Sequence, residues 1–247
     1  MPSTAPSSAR ARTAAEAPVR FASIGSGVYP ILAAVMAVTL ILSNIGAAKG
    51  VEIGIPMPWD PDFTLITDGA FFLFPFAYIV GDVISEVYGF RASRRAIITS
   101  FALSVFAAGC YWLFIALPGA SWYDGQEALE RTLGPVWLIV VASLLGFLVG
   151  QLANAFVMTR MKRRSGERLL FGRIAASTLV GEFLDTLIFC SIAAGVIGVE
   201  TAGQFVNYLA VGVFWKVLVE LVFSPVTMAV IALFKRGESS YGQVTSA

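Results

Sequence analysis

The sequence contains no histidine, only two cysteines and few charged residues, and each shortage excludes a class of function. Without histidine the chain has no Ser-His-Asp triad, no imidazole metal ligand and no histidine proton relay. Cys110 and Cys190 each lie within an apolar run, where cysteine usually serves packing, so the sequence predicts no disulfide framework and no thiolate metal site. Proton chemistry would have to use carboxylates, tyrosine or lysine.

The scarcity of charge indicates a chain that is surrounded by lipid. Charged residues make up 13% of the 247 residues and hydrophobic residues 57%, and the mean hydropathy is +0.78. These values predict one integral membrane domain. The basic residues cluster in alternate loops and form no basic face, so no nucleic-acid partner is expected. The sequence predicts no cofactor.

Long apolar segments predict an all-α integral membrane protein, a compact bundle of six transmembrane helices. The predicted spans cover residues 28–48, 68–88, 96–117, 135–161, 174–197 and 205–234. The first of them is too long for the apolar core of a cleaved signal peptide, so we expect it to be retained. Residues 1–26 are predicted to be a disordered cytoplasmic tail, 27–236 the transmembrane domain and 237–247 a second cytoplasmic tail.

Basic residues predict the orientation of these spans. Fourteen of the 17 Lys and Arg residues fall on one side of the predicted membrane, Lys49 and Arg131 fall on the other, and Lys216 lies within a span. Because positive charge collects on the cytoplasmic side of membrane helices, both termini are predicted to be cytoplasmic.

Polar side chains within the apolar spans are the candidate functional residues. A charge at the centre of a bilayer costs about 2.5 to 3.5 kcal/mol on insertion scales, so these groups must face one another, water or a ligand. The set comprises Asn44, Asp82, Glu86, Gln151, Asn154, Ser177, Thr178, Glu182, Asp185, Lys216 and Glu220.

Some of these charges have a structural interpretation. Lys216 and Glu220 are four residues apart, so they can form an ion pair within one helix. Glu86 lies close to Arg91 and Arg94, which favours a salt bridge at the membrane rim. The aromatic residues between positions 71 and 78 are expected to serve packing or to face lipid, and one or two of them could flank a planar ligand.

The remaining acids outnumber the one deep cation, Lys216. Asp82 and Asp185 are therefore expected to bind a proton, a cation or a ligand that offers hydrogen-bond donors. Asp82, Glu86 and Glu220 are candidates for proton coupling or for a gate.

Three motifs resemble one known family. FPFAYIVGDVISEVYGFRASRR, ASTLVGEFLDTLIF and FWKVLVELVFSPV, with an earlier SNIGAAK, are similar to the queuosine precursor transporter family, which is placed with the vitamin uptake transporters. The resemblance covers about residues 28–236. It implies import of 7-deazaguanines with a cyano or aminomethyl substituent across the bacterial inner membrane. The positions that match the family's motifs are Asp82, Ser177, Thr178, Asp185 and Lys216.

The residues fit a guanine-like ligand on chemical grounds. Such a base offers two neighbouring N–H donors, which Asp185 or Glu182 could accept, and a carbonyl beside them. Lys216, Gln151 or Asn154 could donate to that carbonyl. Asn44, at the end of the first span, completes the predicted substrate-binding set.

Three alternatives remain open at this point. The chain could be a substrate-capture subunit for a vitamin-like heterocycle that needs a separate energising module. It could be an intramembrane aspartyl enzyme that uses Asp82 and Asp185, or a structural or receptor protein without a polar cavity between its helices. The preferred precursor, the coupling ion and the formation of a homodimer are also open.

Overall fold

The computed structural model of the protein describes residues 20–25, 27–46, 49–54, 64–70, 73–134, 137–195 and 199–242. These residues form seven helices: α1 (Tyr29–Gly46), α2 (Phe74–Tyr88), α3 (Phe90–Ala116), α4 (Gln126–Leu133), α5 (Trp137–Ser165), α6 (Leu170–Ala193) and α7 (Ala202–Gly237). Between α1 and α2, strands β1 (Gly50–Gly54) and β2 (Thr64–Asp68) pair as an antiparallel hairpin. The hairpin lies between the first two predicted spans, and the rest of the secondary structure in the described part of the chain is helical.

Five of the described helices are long and apolar enough to cross a membrane, namely α1, α3, α5, α6 and α7. Helix α2 has 15 residues, or about 22 Å, which is shorter than a hydrocarbon core of about 30 Å. The span predicted over residues 68–88, the second in chain order, is not among these five helices and therefore remains a prediction. Residues 71 and 72 of that segment lie outside the described part of the chain.

Both described ends of the chain lie at the same end of the bundle. The Gly242 amide donates to the Phe21 carbonyl over 3.1 Å, and the Ala22 amide donates to the Val87 carbonyl, at the end of α2, over 2.8 Å. Residues 20–25 and 238–242 therefore pack against the helices. The rest of the two predicted tails, residues 1–19 and 243–247, lies outside the described residues.

Local sequence explains where the helices begin and end. Pro75 lies in the first turn of α2, where its missing N–H costs no helical hydrogen bond. Gly89 has a φ of 83°, a conformation that favours glycine, and it separates α2 from α3. Helix α4 lies between the predicted spans 96–117 and 135–161, and its residues Glu127 and Arg131 form an exposed pair.

Small residues bring α5 and α6 into close contact along the most extensive interface among the described helices. A Cβ atom added at Gly150 would lie 2.8 Å from both the Cβ of Asp185 and the carbonyl oxygen of Gly181. A Cβ atom at Gly181 would lie 3.0 Å from the Cβ of Asn154. The absence of these atoms lets the two backbones touch. This contact places Asp185 and Asn154 at the seam between the two helices.

Candidate functional site

Polar residues from α2, α5, α6 and α7 form a group that we call the central cluster. Its members are Tyr78, Asp82, Gln151, Asn154, Thr178, Glu182, Asp185, Lys216 and Glu220. Most of these side chains are buried. The structure thus brings eight of the predicted polar residues, from four separate helices, into one group together with Tyr78.

Lys216 of α7 is paired with α6. Its ammonium donates a short hydrogen bond to Asp185 Oδ2 and lies 3.2 Å from Glu182 Oε2. Glu182 is fully buried, whereas 35% of the Lys216 side chain and 13% of the Asp185 side chain are exposed. The expected pair between Lys216 and Glu220 within α7 was wrong, because the lysine reaches across to α6 instead. The Lys216–Asp185 pair is the accessible part of the cluster.

Asp82 of α2 is paired with α5. Asn154 Nδ2 donates to Asp82 Oδ1 over 2.9 Å, and the second oxygen of Asp82 has no hydrogen-bond partner among the described residues. Gln151, one turn before Asn154, packs against Gly81, where a Cβ atom would lie 2.7 Å from Gln151 Oε1. Asp82 and its neighbours therefore retain unused hydrogen-bonding capacity in a buried position.

Tyr78 lies among three acids of the cluster, Glu182, Asp185 and Glu220. The sequence interpretation placed this residue among the aromatics expected to serve packing or to flank a planar ligand, and it did not single out the hydroxyl group. Tyr78 precedes Asp82 by four residues, so both face the same side of α2. This spacing is the sequence signal that could have identified it.

Several buried polar atoms of the central cluster have no hydrogen-bond partner within the described part of the chain. They are the second oxygen of Asp82, the amide oxygen of Asn154, both amide atoms of Gln151, the Thr178 hydroxyl and the carboxylate oxygens of Glu182 and Glu220. Glu182 contacts the Lys216 ammonium as an ion pair without the geometry of a hydrogen bond. Because buried polar groups are nearly always hydrogen-bonded, such a concentration points to a site for a polar ligand.

A second ionic group, which we call the end cluster, lies where the described chain ends meet. Glu86 of α2 contacts Arg173 of α6 at 2.7 Å, Lys235 of α7 at 2.6 Å and Lys162 of α5 at 3.4 Å. The expected salt bridge of Glu86 is present, but its expected partners Arg91 and Arg94 were wrong. Its cations come from three other helices.

Residues outside the helices complete the end cluster: Glu167 follows α5, Tyr241 follows α7 and Phe21 precedes α1. Tyr241 donates to Glu167 Oε1 over 2.7 Å and lies 3.0 Å from the Lys162 ammonium, and Lys162 lies 4.7 Å from the centre of the Phe21 ring. Partial burial would raise the pKa of Glu167, but hydrogen bonds from Lys235 and Tyr241 and the nearby lysine charges lower it to about 2. Burial and the hydrogen bond to Glu167 raise the pKa of Tyr241.

Two predicted site residues have other surroundings. The Ser177 hydroxyl donates to the Ile174 carbonyl of its own helix over 3.0 Å. Asn44 lines a separate cavity of about 250 Å³ between α1, α3, α4 and α5, together with Ser104, Tyr111 and other residues. The structure does not bring Asn44 into the central cluster.

The two aspartates of the enzyme alternative have different partners. Asp82 accepts from Asn154, and Asp185 accepts from Lys216. In the part of the chain that the structure describes, no contact joins the two carboxyl groups. Paired aspartates that share a proton would need such a contact.

Comparison with known proteins identifies relatives of this chain. Residues 68–230 match the family described as "Putative vitamin uptake transporter". A "Probable queuosine precursor transporter" of Bacillus subtilis is 26% identical over 66% of this chain and 71% of the relative. One of the same name from Haemophilus influenzae is 26% identical over 63% and 59%. A "Queuosine precursor transporter" of Escherichia coli is 30% identical over 49% and 52%. No solved structure matches the chain.

Proposed function

Because this chain belongs to the vitamin uptake transporter family, as its sequence motifs predicted, we propose that it imports queuosine precursors across the bacterial inner membrane. The substrates are 7-cyano-7-deazaguanine, 7-aminomethyl-7-deazaguanine or both. In this proposal all six predicted spans cross the membrane, and both termini are cytoplasmic. The central cluster binds the base between α2, α5, α6 and α7.

The observation that carries this proposal is the Lys216–Asp185–Glu182 group. A 7-deazaguanine has two adjacent N–H donors on one edge, next to a carbonyl oxygen. A carboxylate of Asp185 or Glu182 accepts from the donors, and the Lys216 ammonium donates to the carbonyl. Lys216 and Asp185 are partly exposed, so the base can reach them. Binding replaces one direct ion pair by two charge-assisted contacts to the ligand.

The neighbouring amides extend the same site. Gln151 and Asn154 lie three residues apart on α5, hence on one face, and both retain free hydrogen-bonding atoms within the described residues. A purine-like base has polar atoms around most of its rim. These side chains supply contacts that an apolar metabolite would leave unsatisfied, which favours a heterocycle over a lipid as substrate.

Uptake of labelled precursor into cells that lack their own synthesis tests the proposal. We expect Asp185→Asn to lower uptake about a hundredfold, because a charged hydrogen bond is lost and Lys216 loses one of its two acidic partners. The matched control is Asp124→Asn, at an exposed position outside the helices, which should leave uptake unchanged. Undiminished uptake by Asp185→Asn would show that the binding assignment is wrong.

Reconstitution separates this transporter from a substrate-capture subunit. The purified full chain in liposomes should accumulate the labelled precursor by itself. If it binds the precursor but moves it only when a second module is present, the capture alternative is correct.

A further inference from the structure

The central cluster contains more negative than positive groups. Asp82, Glu182, Asp185 and Glu220 share one cation, Lys216, which is already paired with Asp185 and Glu182. Asp82 and Glu220 form no ion pair with any described residue. A buried carboxylate without a counter-ion is costly, so this half of the site is incomplete as a set of protein contacts.

The surroundings of Glu220 point to a ligand group. Its side chain is 5% exposed, and it faces Asp82 from α2, Thr178 and Glu182 from α6, and the hydroxyl of Tyr78. The Thr178 hydroxyl is 1% exposed and has no hydrogen bond of good geometry to a described residue. Gln151, 2% exposed, leaves both amide atoms unpaired on the α5 side. Acceptors therefore surround a position that lacks a cationic donor.

We propose that this site selects a substrate with a positive charge and that Glu220 is the counter-ion for it. The inference rests on the proposed function, and it identifies which precursor is preferred. The aminomethyl compound carries an ammonium group at neutral pH, whereas the cyano compound is neutral. The deficit of positive charge around Glu220 and Asp82 therefore favours the aminomethyl compound.

The geometry of the ligand agrees with the spacing on α7. The carbonyl and the 7-substituent of a 7-deazaguanine project from the same side of the ring system. Lys216 and Glu220 lie four residues apart, one turn or about 6 Å along the helix, and on the same face. The Lys216 ammonium donates to the carbonyl, and Glu220 accepts from the substituent's ammonium. A cyano group, which only accepts hydrogen bonds, meets carboxylates at that position.

Equilibrium binding to the purified full chain tests this inference without requiring transport. We expect the wild type to bind the aminomethyl compound about tenfold more tightly than the cyano compound, the effect of one charge-assisted hydrogen bond. Glu220→Gln should bring this ratio close to one by weakening only the aminomethyl compound. Asp82→Asn should lower the ratio in the same direction, and Glu127→Gln, on the exposed face of α4, should leave it unchanged.

The outcomes are distinguishable from failure of the proposed function. Binding of the cyano compound reports that each variant is folded. Equal or tighter wild-type binding of the cyano compound would overturn the charge preference while the proposed function stands. A ratio that survives both Glu220→Gln and Asp82→Asn would overturn the assignment of the counter-ion. If the wild type binds neither compound, the proposed function fails and this inference fails with it.

Discussion

The end cluster and the central cluster are built by the same four helices, yet their charges are balanced in opposite ways. At the end cluster one acid, Glu86, contacts three cations, Lys162, Arg173 and Lys235. In the central cluster four acids accompany one cation, Lys216, which pairs with only two of them, Glu182 and Asp185. In the sequence alone the two clusters look alike, because each is seen only as acidic residues within apolar segments. The comparison teaches that the number of partners, rather than the presence of a charge, separates a structural contact from a candidate binding site.

The physical reason is the cost of desolvation. A buried ion pair with additional hydrogen bonds offsets much of that cost, so the charge of Glu86 is paired within the protein, and only Glu86 Oε2 and Arg173 Nε lack a hydrogen-bond partner among the described residues of the end cluster. Arg173 illustrates this, because it also donates to the Ser165 hydroxyl over 3.1 Å and to the Gly166 carbonyl over 2.9 Å. The central cluster lacks such partners among the described residues, and a ligand can supply them.

The largest expected effect comes from removing the charge of Glu86. Glu86→Gln leaves three cations without their shared acid, and we expect the free energy of unfolding to fall by about 3 to 5 kcal/mol. Denaturant or thermal unfolding in detergent measures the change. Glu220→Gln is the matched contrast. It removes a carboxylate that has no cationic partner in the described structure, and it should leave stability equal or higher. A similar loss of unfolding free energy in both variants would show that the two clusters do not differ in this way.

The next largest effect depends on how many cations each cluster has, one in the central cluster and three around Glu86 in the end cluster. Lys216→Met removes the cation that Asp185 and Glu182 share, and we expect uptake of labelled precursor to fall about a hundredfold. Lys235→Met should leave uptake within about twofold, since Glu86 keeps Arg173 and Lys162. Equal losses in the two variants would show that the end cluster also takes part in binding.

A smaller effect tests the α5–α6 contact that positions the central cluster. Gly150→Ala would force a methyl group against Asp185 and the Gly181 carbonyl, and we expect a loss of about 1 to 3 kcal/mol in stability with weaker substrate binding. Gly109→Ala in α3 is the control, because a Cβ atom there has open space. It should be neutral or stabilising. Unfolding and binding measured on the same samples check both expectations, and an unaffected Gly150→Ala protein would contradict the close contact.

The smallest effect is a pH dependence at the end cluster. The pKa of Glu167 is about 2 in the folded protein, below the value of about 4.3 for an unperturbed glutamate. Its contribution to stability is therefore complete above about pH 4.3 and is lost as the pH falls towards 2. Melting temperatures compared at pH 6 and pH 3 should differ less for Glu167→Gln than for the wild type. An unchanged difference would show that Glu167 is not responsible.

The sequence alone located the long helices and the polar residues, because both depend on local composition. It also identified the family, which the comparisons confirm. It did not reveal which charges meet. Glu86 forms ion pairs with Arg173 and Lys235, which are far away in the sequence. Lys216 pairs with Asp185 of α6 rather than with Glu220, which is closer in the sequence. Such pairings depend on how the helices pack against one another, and the spacing of residues within one helix does not predict that packing.

Other differences have equally specific causes. Asn44 has the polarity of a binding residue, but α1 ends beside α3 and α4, so it faces another cavity. The segment 50–67 contains enough prolines to exclude a helix, and these residues do not prevent the pairing of β1 with β2. Tyr78 was not singled out from the neighbouring aromatics, because a packing ring and a polar hydroxyl belong to the same side chain.

The glycine contact between α5 and α6 has a mechanical consequence. Backbones that touch at Gly150 and Gly181 cannot slide or rotate past one another without collision, so the pair behaves as a rigid body. Any rocking motion that exposes the site to alternate sides of a membrane must then move α2 and α7 against that body. The contacts Asp82–Asn154 and Asp185–Lys216 cross this boundary. Such a motion would break and re-form these two contacts.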